Sequence, residues 1–193
     1  MKFVEDFLEV KPTNLDLKAG RILISVPFFS DLFFKRSVVL ITDYEKNSSA
    51  GLILNRKSVA TVRSVINEIK VDDPLFIGGP VMTNNLFCIH NHQNTKGASK
   101  LLPGVFVGFD DMFLALIEHN AIESIRYKFF LGYSGWSPGQ LEMEIKNKMW
   151  VVGHANLELI FQVPADLLWE TAVDYLGDDY KHWLVLPKDI SYN

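Results

Sequence analysis

Only one of the 193 residues, Cys88, is a cysteine. No intrachain disulfide can form, so the fold does not depend on an oxidising compartment. Cys88 stands in the apolar stretch Leu86-Phe87-Cys88-Ile89, which predicts a small buried hydrophobe rather than a reactive thiol. Long apolar runs are missing too: none approaches the roughly 18 residues that would span a bilayer. Met1 to Val10 mixes Glu5, Asp6 and Glu9 with apolar residues and lacks the cationic start and apolar run of a secretory leader. A cytoplasmic location is expected. There is no surplus of positive charge, since 19 Lys and Arg stand against 23 Asp and Glu, for a net charge of −4 and a pI near 5.7. A duplex-binding domain carries a basic face to neutralise phosphates, so direct nucleic-acid binding is not expected. Internal repeats, low-complexity tracts and Pro/Gly/Ser linkers are also absent. One domain over residues 1–193 follows, with residues 1–17 as an N-terminal extension.

What is present is core material. Hydrophobic residues make up 48% of the chain, enough for a single buried core at this length. In the extension, Phe3, Phe7 and Leu8 have helical spacing, ended by Pro12 and Asn14. Arg21 to Phe28, Ser37 to Tyr44 and Ala50 to Asn55 read as strands, the last two joined through a polar loop, Glu45 to Ser49. Ser30 is placed to cap a short helical turn through Phe34. Val62, Val65, Ile66 and Ile69 form an i, i+3, i+4, i+7 stripe that predicts an amphipathic helix from Val59 to Ile69. Leu75 to Ile77, Leu86 to His90 and Val105 to Phe109 read as short strands, and Asn91 to Lys100 as a polar, mobile loop. Asp110 or Asp111 caps a helix reaching Asn120. Ile125 to Tyr133 alternates, with Ile125, Tyr127, Phe129, Leu131 and Tyr133 on one face. Ser137-Pro138-Gly139-Gln140 has the form of a capping box that opens a helix with Leu141 and Ile145 buried. Trp150 to Val152 reads as a strand, and Pro164 to Leu176 as a last helix stopped by Gly177. Helices and strands are mixed without a βαβ repeat, which predicts α+β rather than a doubly wound parallel sheet.

Several segments carry possible chemistry. Gly132-Tyr133-Ser134-Gly135-Trp136 lies between a strand and a helix, the setting of a nucleophile elbow. Trp136 occupies the position of that motif's last glycine, so Gly132, Gly135, Trp136, Gly139 and Gln140 are read as a structural turn. Gly78-Gly79-Pro80 has the glycines of an anion nest, but Pro80 removes a donor and no phosphate-loop lysine follows. A structural turn is favoured there. His90 and His92 would share one face of a strand, yet no third ligand accompanies them, so neither a metal site nor a cofactor is expected. His90 remains a candidate for hydrogen bonding or proton transfer. Arg36-Ser37 and Asn55-Arg56 flank the predicted hairpin. Two arginines there could clamp a carboxylate or phosphate, or pair with Asp31, Asp43 or Glu142. Arg36, Ser37, Asn55, Arg56, Gly78, Gly79 and His90 are therefore the candidate ligand-binding set. Trp136, Trp150 and Trp169 are expected as core anchors.

Taken together, these segments resemble the AlgH/YqgE family of small bacterial proteins, most closely its Bacteroidetes form. The resemblance is carried by Gly20-Arg21-Ile22-Leu23-Ile24-Ser25-Val26-Pro27, Phe34-Lys35-Arg36-Ser37-Val38-Val39-Leu40 and Gly51-Leu52-Ile53-Leu54-Asn55-Arg56. Gly78-Gly79-Pro80-Val81, His90, and Gly132 to Trp136 with Gly139-Gln140-Leu141-Glu142 extend it, and Glu144, Trp150 and Trp169 also fit. It implies an α+β fold with a bifurcated, coiled β-sheet forming a pseudo-barrel with flanking helices. It implies no enzymatic activity or cofactor; the family's name comes from a genetic link to control of alginate synthesis. Ser134 stands where family members often carry Ala, Asp43-Tyr44 where they often carry His, and Asn85-Leu86 where many carry Arg-Gly. The functional expectation is a non-enzymatic regulatory or adaptor protein, transcription-related by family association, acting through a protein partner. The alternative is a small-ligand or anion-binding protein with hydrolase-like chemistry.

Overall fold

The computed structural model describes residues 10–29, 31 and 33–187. The predicted N-terminal helix and the Ser30 cap lie outside them. Ten strands form one forked sheet. Strand β1 (Arg21–Ser25) runs between β10 (Trp150–His154) and β2 (Val38–Glu45), and β2 pairs in turn with β3 (Ser48–Ile53), all antiparallel. Where these strands lie side by side at Ile22–Ile24, Val38–Ile41, Leu52–Ile53 and Trp150–Val152 they are apolar runs, because both faces are buried there. Leu23, Val39, Ile53 and Val152 point to one side, while Ile22, Ile24, Val38, Leu40 and Leu52 point to the other. The predicted loop from Glu45 to Ser49 is a tight reversal instead. Glu45 pairs with Ser48, leaving Lys46 and Asn47 as its tip.

The fork occurs at β9 (Tyr127–Trp136). One of its edges pairs antiparallel with β6 (Val81–His90). The other edge is shared, its first half pairing in parallel with β5 (Pro74–Ile77) and its second half antiparallel with β3. Beyond β6 lie β8 (Val105–Val107) and β7 (Ser99–Leu102). The sheet is open, with β10 and β7 at its two ends. The α+β expectation and the bifurcated sheet both hold, and β5–β9 is the parallel pair among the described strands. Lys100, expected in a polar loop, belongs to β7, and the preceding segment is tied down by Lys96 N–H donating to Asp110 Oδ2.

The predicted helix from Val59 to Ile69 is replaced by strand β4 (Lys57–Thr61) and a single turn, α1 (Val62–Val65). Val59, Thr61, Val62, Val65 and Ile66 are β-branched and stiff at χ1, and the free edge of β5 offers hydrogen bonds to this segment. Helix α2 (Asp111–Glu118) is capped by Asp110, whose side chain accepts from Phe113 N–H. Helix α3 (Gln140–Lys146) begins two residues later than the capping box predicts, because Gly139 is left-handed (φ 74°). Half of the box survives as Ser137 N–H donating to Gln140 Oε1.

The predicted Pro164–Leu176 helix is α5 (Leu168–Tyr175), whose last residue, Tyr175, is half exposed and donates to Glu158. A separate helix α4 (Leu157–Phe161), capped by Asn156, and a 3-10 helix (Asp178–Val185) are the remaining elements among the described residues. These last three pack on the Ile22/Leu40/Leu52 side of the sheet, α3 packs on the other side, and α1 and α2 cover Leu75, Cys88 and Phe129. Among the described residues no helix is long and apolar enough to cross a membrane.

Gly78 and Gly79 sit where β5 leaves the fork, and both exist for close backbone approach. A Cβ on Gly79 would lie 2.1 Å from the Tyr133 carbonyl carbon, and one on Gly78 would lie 2.3 Å from the Gly132 oxygen. By contrast, Gly97 has open space around it and only its positive φ of 75° to protect. Gly79→Ala is expected to cost at least about 3 kcal/mol or to prevent folding. Gly97→Ala should cost only about 1–2 kcal/mol of left-handed strain. Urea denaturation of the two variants tests this, and equal losses would contradict it.

Candidate functional site

The bulge in β2 and the bend in β9 open a cleft at the fork. The β2–β3 register slips between Ile41 and Asp43, so Thr42 is an extra residue that turns the strand outward. On β9, Gly132 is left-handed (φ 65°), and a side chain there would collide with the carbonyls of Gly79 and Val81. This single residue breaks the alternation read from the sequence. Tyr127, Phe129 and Leu131 face the α1/α2 cluster as expected, but Tyr133 packs with the opposite cluster, edge-on to Phe87 at 5.7 Å. The resulting cleft has a volume of about 610 Å³. Leu52, Val81, Phe87, Val107, Tyr133 and Trp136 form its apolar wall, and Thr42, Asp43, Asn47, Ser48, Ser49 and Ser137 its polar rim.

Ser134 lies inside β9 rather than on a strand-to-helix elbow. It is 1% exposed, and its hydroxyl donates to the Gly78 carbonyl at 3.1 Å. The segment Gly132 to Trp136 shapes one wall of the cleft through Tyr133, Gly135 and Trp136. Trp136 is held by Glu144 of α3. One carboxylate oxygen, Oε2, accepts from the indole N–H of Trp136 (2.9 Å) and of Trp150 (2.7 Å), while Oε1 accepts from Gln140 Nε2 (2.9 Å). Buried indoles need an acceptor, and one charged side chain serves two of them. The spacing Trp136, Gln140, Glu144 puts the last two one helical turn apart on α3, a signal available in the sequence once both indoles are known to be buried.

The seven candidate ligand residues do not all meet. Arg36, Ser37, Asn55 and Arg56 converge where β2 begins and β3 ends. There the Asn55 side chain acts as a short piece of strand: Oδ1 accepts from Val38 N–H (3.0 Å) and Nδ2 donates to the Arg36 carbonyl (2.8 Å). Arg36, itself left-handed (φ 48°), stacks on Trp169 at 4.6 Å, donates to the carbonyls of Leu186 and Pro187, and reaches Glu170 at 3.4 Å. Glu170 was not among the expected partners. The Arg56 guanidinium lies over the Phe33 ring and donates to the Phe33 carbonyl, with burial lowering its pKa and Asp31 partly restoring it. Ser37 is buried, its N–H donating to Ser25 Oγ. Gly78 adjoins this group through Ile77 N–H, which donates to the Arg56 carbonyl.

His90 stands apart at the far end of β6, opposite Tyr127, four residues along β9 from Leu131, where Gly78 N–H donates. At the rise of a strand that is roughly 13 Å. It is fully buried between Phe106 and Phe113. Its Nδ1 accepts from His92 N–H (3.2 Å), so its Nε2 carries the hydrogen and donates to the Gly108 carbonyl (2.9 Å). Burial lowers its pKa, opposed by the Gly108 carbonyl. No three His, Cys, Asp or Glu gather as a metal site among the described residues. Cys88 is buried and free, and burial pushes its thiol pKa well up.

The double acceptor is the most vulnerable point of the cleft wall. Glu144→Leu leaves two indole donors without partners, at about 1–3 kcal/mol each. Denaturant unfolding should show that loss, and the tryptophan emission of the folded variant should shift. Unchanged stability and spectrum would show that Glu144 does not hold the wall.

Comparison with known proteins bears on the whole of this architecture. The AlgH-like family model matches residues 22–181. A UPF0301 protein of Parabacteroides distasonis is 39% identical over 176 residues, covering 88% of each chain. One of Bacteroides thetaiotaomicron is 33% identical over the full length of both chains. Two solved structures share the fold. A crystal structure of a Corynebacterium diphtheriae protein has a TM-score of 0.74 at 21% identity, covering 92% of this chain and 95% of the other. The solution structure of AlgH from Pseudomonas aeruginosa has a TM-score of 0.71 at 23% identity, covering 93% and 98%. Its bifurcated sheet, its matched residues and its relatives agree, and the chain belongs to the AlgH-like family.

Proposed function

We propose that this protein is a non-enzymatic adaptor or regulator of the cytoplasm that works by seating a segment of a partner protein in the cleft at the sheet fork. The observation that supports this most is the composition of the cleft: an apolar wall that includes Tyr133, Phe87 and Trp136, ringed by hydroxyl and amide groups. That is the anatomy of a protein interface, with aromatic anchors in the centre and a polar rim around them. The serine that a hydrolase reading would require is turned away into a hydrogen bond with Gly78, and the cleft lining contains no imidazole. A role in transcription control would follow from the identity of the partner, since the net charge of −4 gives little support to direct contact with DNA.

Val81 lines the cleft at the start of β6 and is half-buried. Val81→Glu places an unpaired carboxylate against the apolar wall, which an incoming apolar side chain would have to desolvate. Affinity capture from cells with the wild-type chain should retain a partner that the folded Val81→Glu variant does not. Equal retention by both chains, or none by either, would overturn the assignment.

A further inference from the structure

A second recess, of about 240 Å³, lies on the other arm of the fork, between the β4–β5–β9 surface and the chain joining α4 to α5. Lys57 of β4 is the cross-strand neighbour of Phe76, and Phe76 that of Phe130 on β9. Lys128 is two residues before Phe130 and so shares its face. Its ammonium sits 5.1 Å above the Phe76 ring. Phe161, Val163, Pro164 and Ala165 form the opposite wall. Among the described residues, neither Lys57 nor Lys128 is within ion-pair distance of a carboxylate.

An ammonium taken out of water without a counter-ion is unfavourable, and the group yields its proton more easily. Lys128 does so, its pKa falling from 10.5 to about 8 through burial first and the neighbouring charge of Lys57 second. The other charged group of the recess, Asp73, accepts a hydrogen bond from Tyr127 Oη at 2.5 Å. The α4–α5 connection lines the recess with Gln162 and no charged side chain, its exposed Asp166 lying outside the lining. A half-buried ammonium, Lys128, and an exposed one, Lys57, therefore face a recess with apolar walls whose one carboxylate, Asp73, is engaged by Tyr127 and lies beyond ion-pair distance of both.

We propose that this recess binds a small oxyanion, a carboxylate or phosphate group, held between Lys128 and Lys57 with its organic part against Phe76 and Phe161. The volume is below that of a typical drug-sized site, which restricts the ligand to a small metabolite. The site is separate from the cleft and does not depend on the adaptor reading. Its affinity has a defined pH dependence. The anion pairs with protonated Lys128, so binding is strong below about pH 8 and weakens as pH rises through that value. Stability follows the opposite sign in the free protein. The unfolded chain keeps the lysine proton up to about 10.5 and the folded chain only to about 8, so the contribution of Lys128 to stability rises between those values. Saturating anion flattens that rise.

The test is an NMR titration of the full chain, labelled at lysine Cε and Nζ, with inorganic phosphate and with benzoate in separate series. Lys128→Met and Lys57→Met assign the signals, and Met preserves the length of the stem in both. The expected result is a saturable shift of the Lys57 and Lys128 signals and a Lys128 titration midpoint raised by roughly one pH unit. Lys57→Met should weaken binding roughly tenfold, as a loss of one modest interaction does. Lys128→Met should abolish it while keeping or raising the melting midpoint. A response to phosphate alone identifies a phosphate ligand, and a response to benzoate alone an organic acid. Unmoved lysine signals with both anions in the tens of millimolar, or binding that survives Lys128→Met, would overturn the proposal.

Discussion

The sheet divides at one carbonyl. The oxygen of Gly78 accepts from Ile53 N–H of β3 and from the Ser134 hydroxyl of β9, while Gly78 N–H donates to the Leu131 carbonyl. Three segments that would otherwise diverge are joined at this residue. The joint admits no side chain, since a Cβ at Gly78 or Gly79 would meet backbone atoms of β9 at 2.1–2.3 Å. Such a constraint is steric and cannot be relaxed by a rotamer change, because the colliding atoms are main chain. The paired glycines of the sequence are therefore accounted for without an anion. Ser134 is accounted for without a nucleophile, because it supplies the second donor to a carbonyl that has two lone pairs to satisfy.

What the fork creates is asymmetry along β9. Before Gly132 the strand alternates normally, with Phe129 and Leu131 under α1 and α2 and with Lys128 and Phe130 toward α4 and α5. After it, Tyr133 changes sides and Trp136 joins a third cluster with Trp150. One strand thus contributes to all three apolar clusters and to both recesses. Glu144 then fixes the end of the strand by accepting from both indoles. A carboxylate is suited to this because it accepts at several lone pairs and hydrogen bonds to a charged acceptor are stronger than neutral ones.

The sequence made the strands near the sheet centre easy to find. Ile22 to Ile24, Val38 to Ile41 and Leu52 to Ile53 are short apolar runs with both faces buried. It misled where a local pattern had two solutions. Val62, Val65, Ile66 and Ile69 fit a helix, but Val62 and Ile69 are buried by a one-turn helix and its exit, while the residues before it add a strand to β5. The stripe marks which side chains face inward and does not fix the backbone between them. Alternation in β9 failed at Gly132 for a related reason, because period two assumes that every residue is extended. The arginines lie near Asn55, but the carbonyls that Arg36 and Arg56 meet, at Leu186, Pro187 and Phe33, belong to main chain and leave no trace in residue types.

Lys128 shows the same limit from the other side. In the sequence it is a lysine between two aromatic residues on an alternating strand, on the face opposite Tyr127 and Phe129. The strand is central, however, and the face it shares with Phe130 is covered by a connection more than 30 residues later, Phe161 to Ala165. A lysine stem can reach along an apolar surface and return its charge to water, but here the ammonium rests on Phe76 and a second lysine stands on the same face. An ordinary core would place an aliphatic side chain there, or a carboxylate within ion-pair distance, which Asp73 is not. The persistence of an unneutralised cation in a recess, at a cost to the free protein, is the kind of local inconsistency that marks a binding site rather than a packing solution. By the same reasoning Arg36 and Arg56 are the less promising pair for a ligand. Their stacking faces are filled by Trp169 and Phe33 and their NH2 groups donate to the chain's own carbonyls, so an incoming anion at those groups would have to displace contacts already made, whereas at Lys128 it would supply one that is missing.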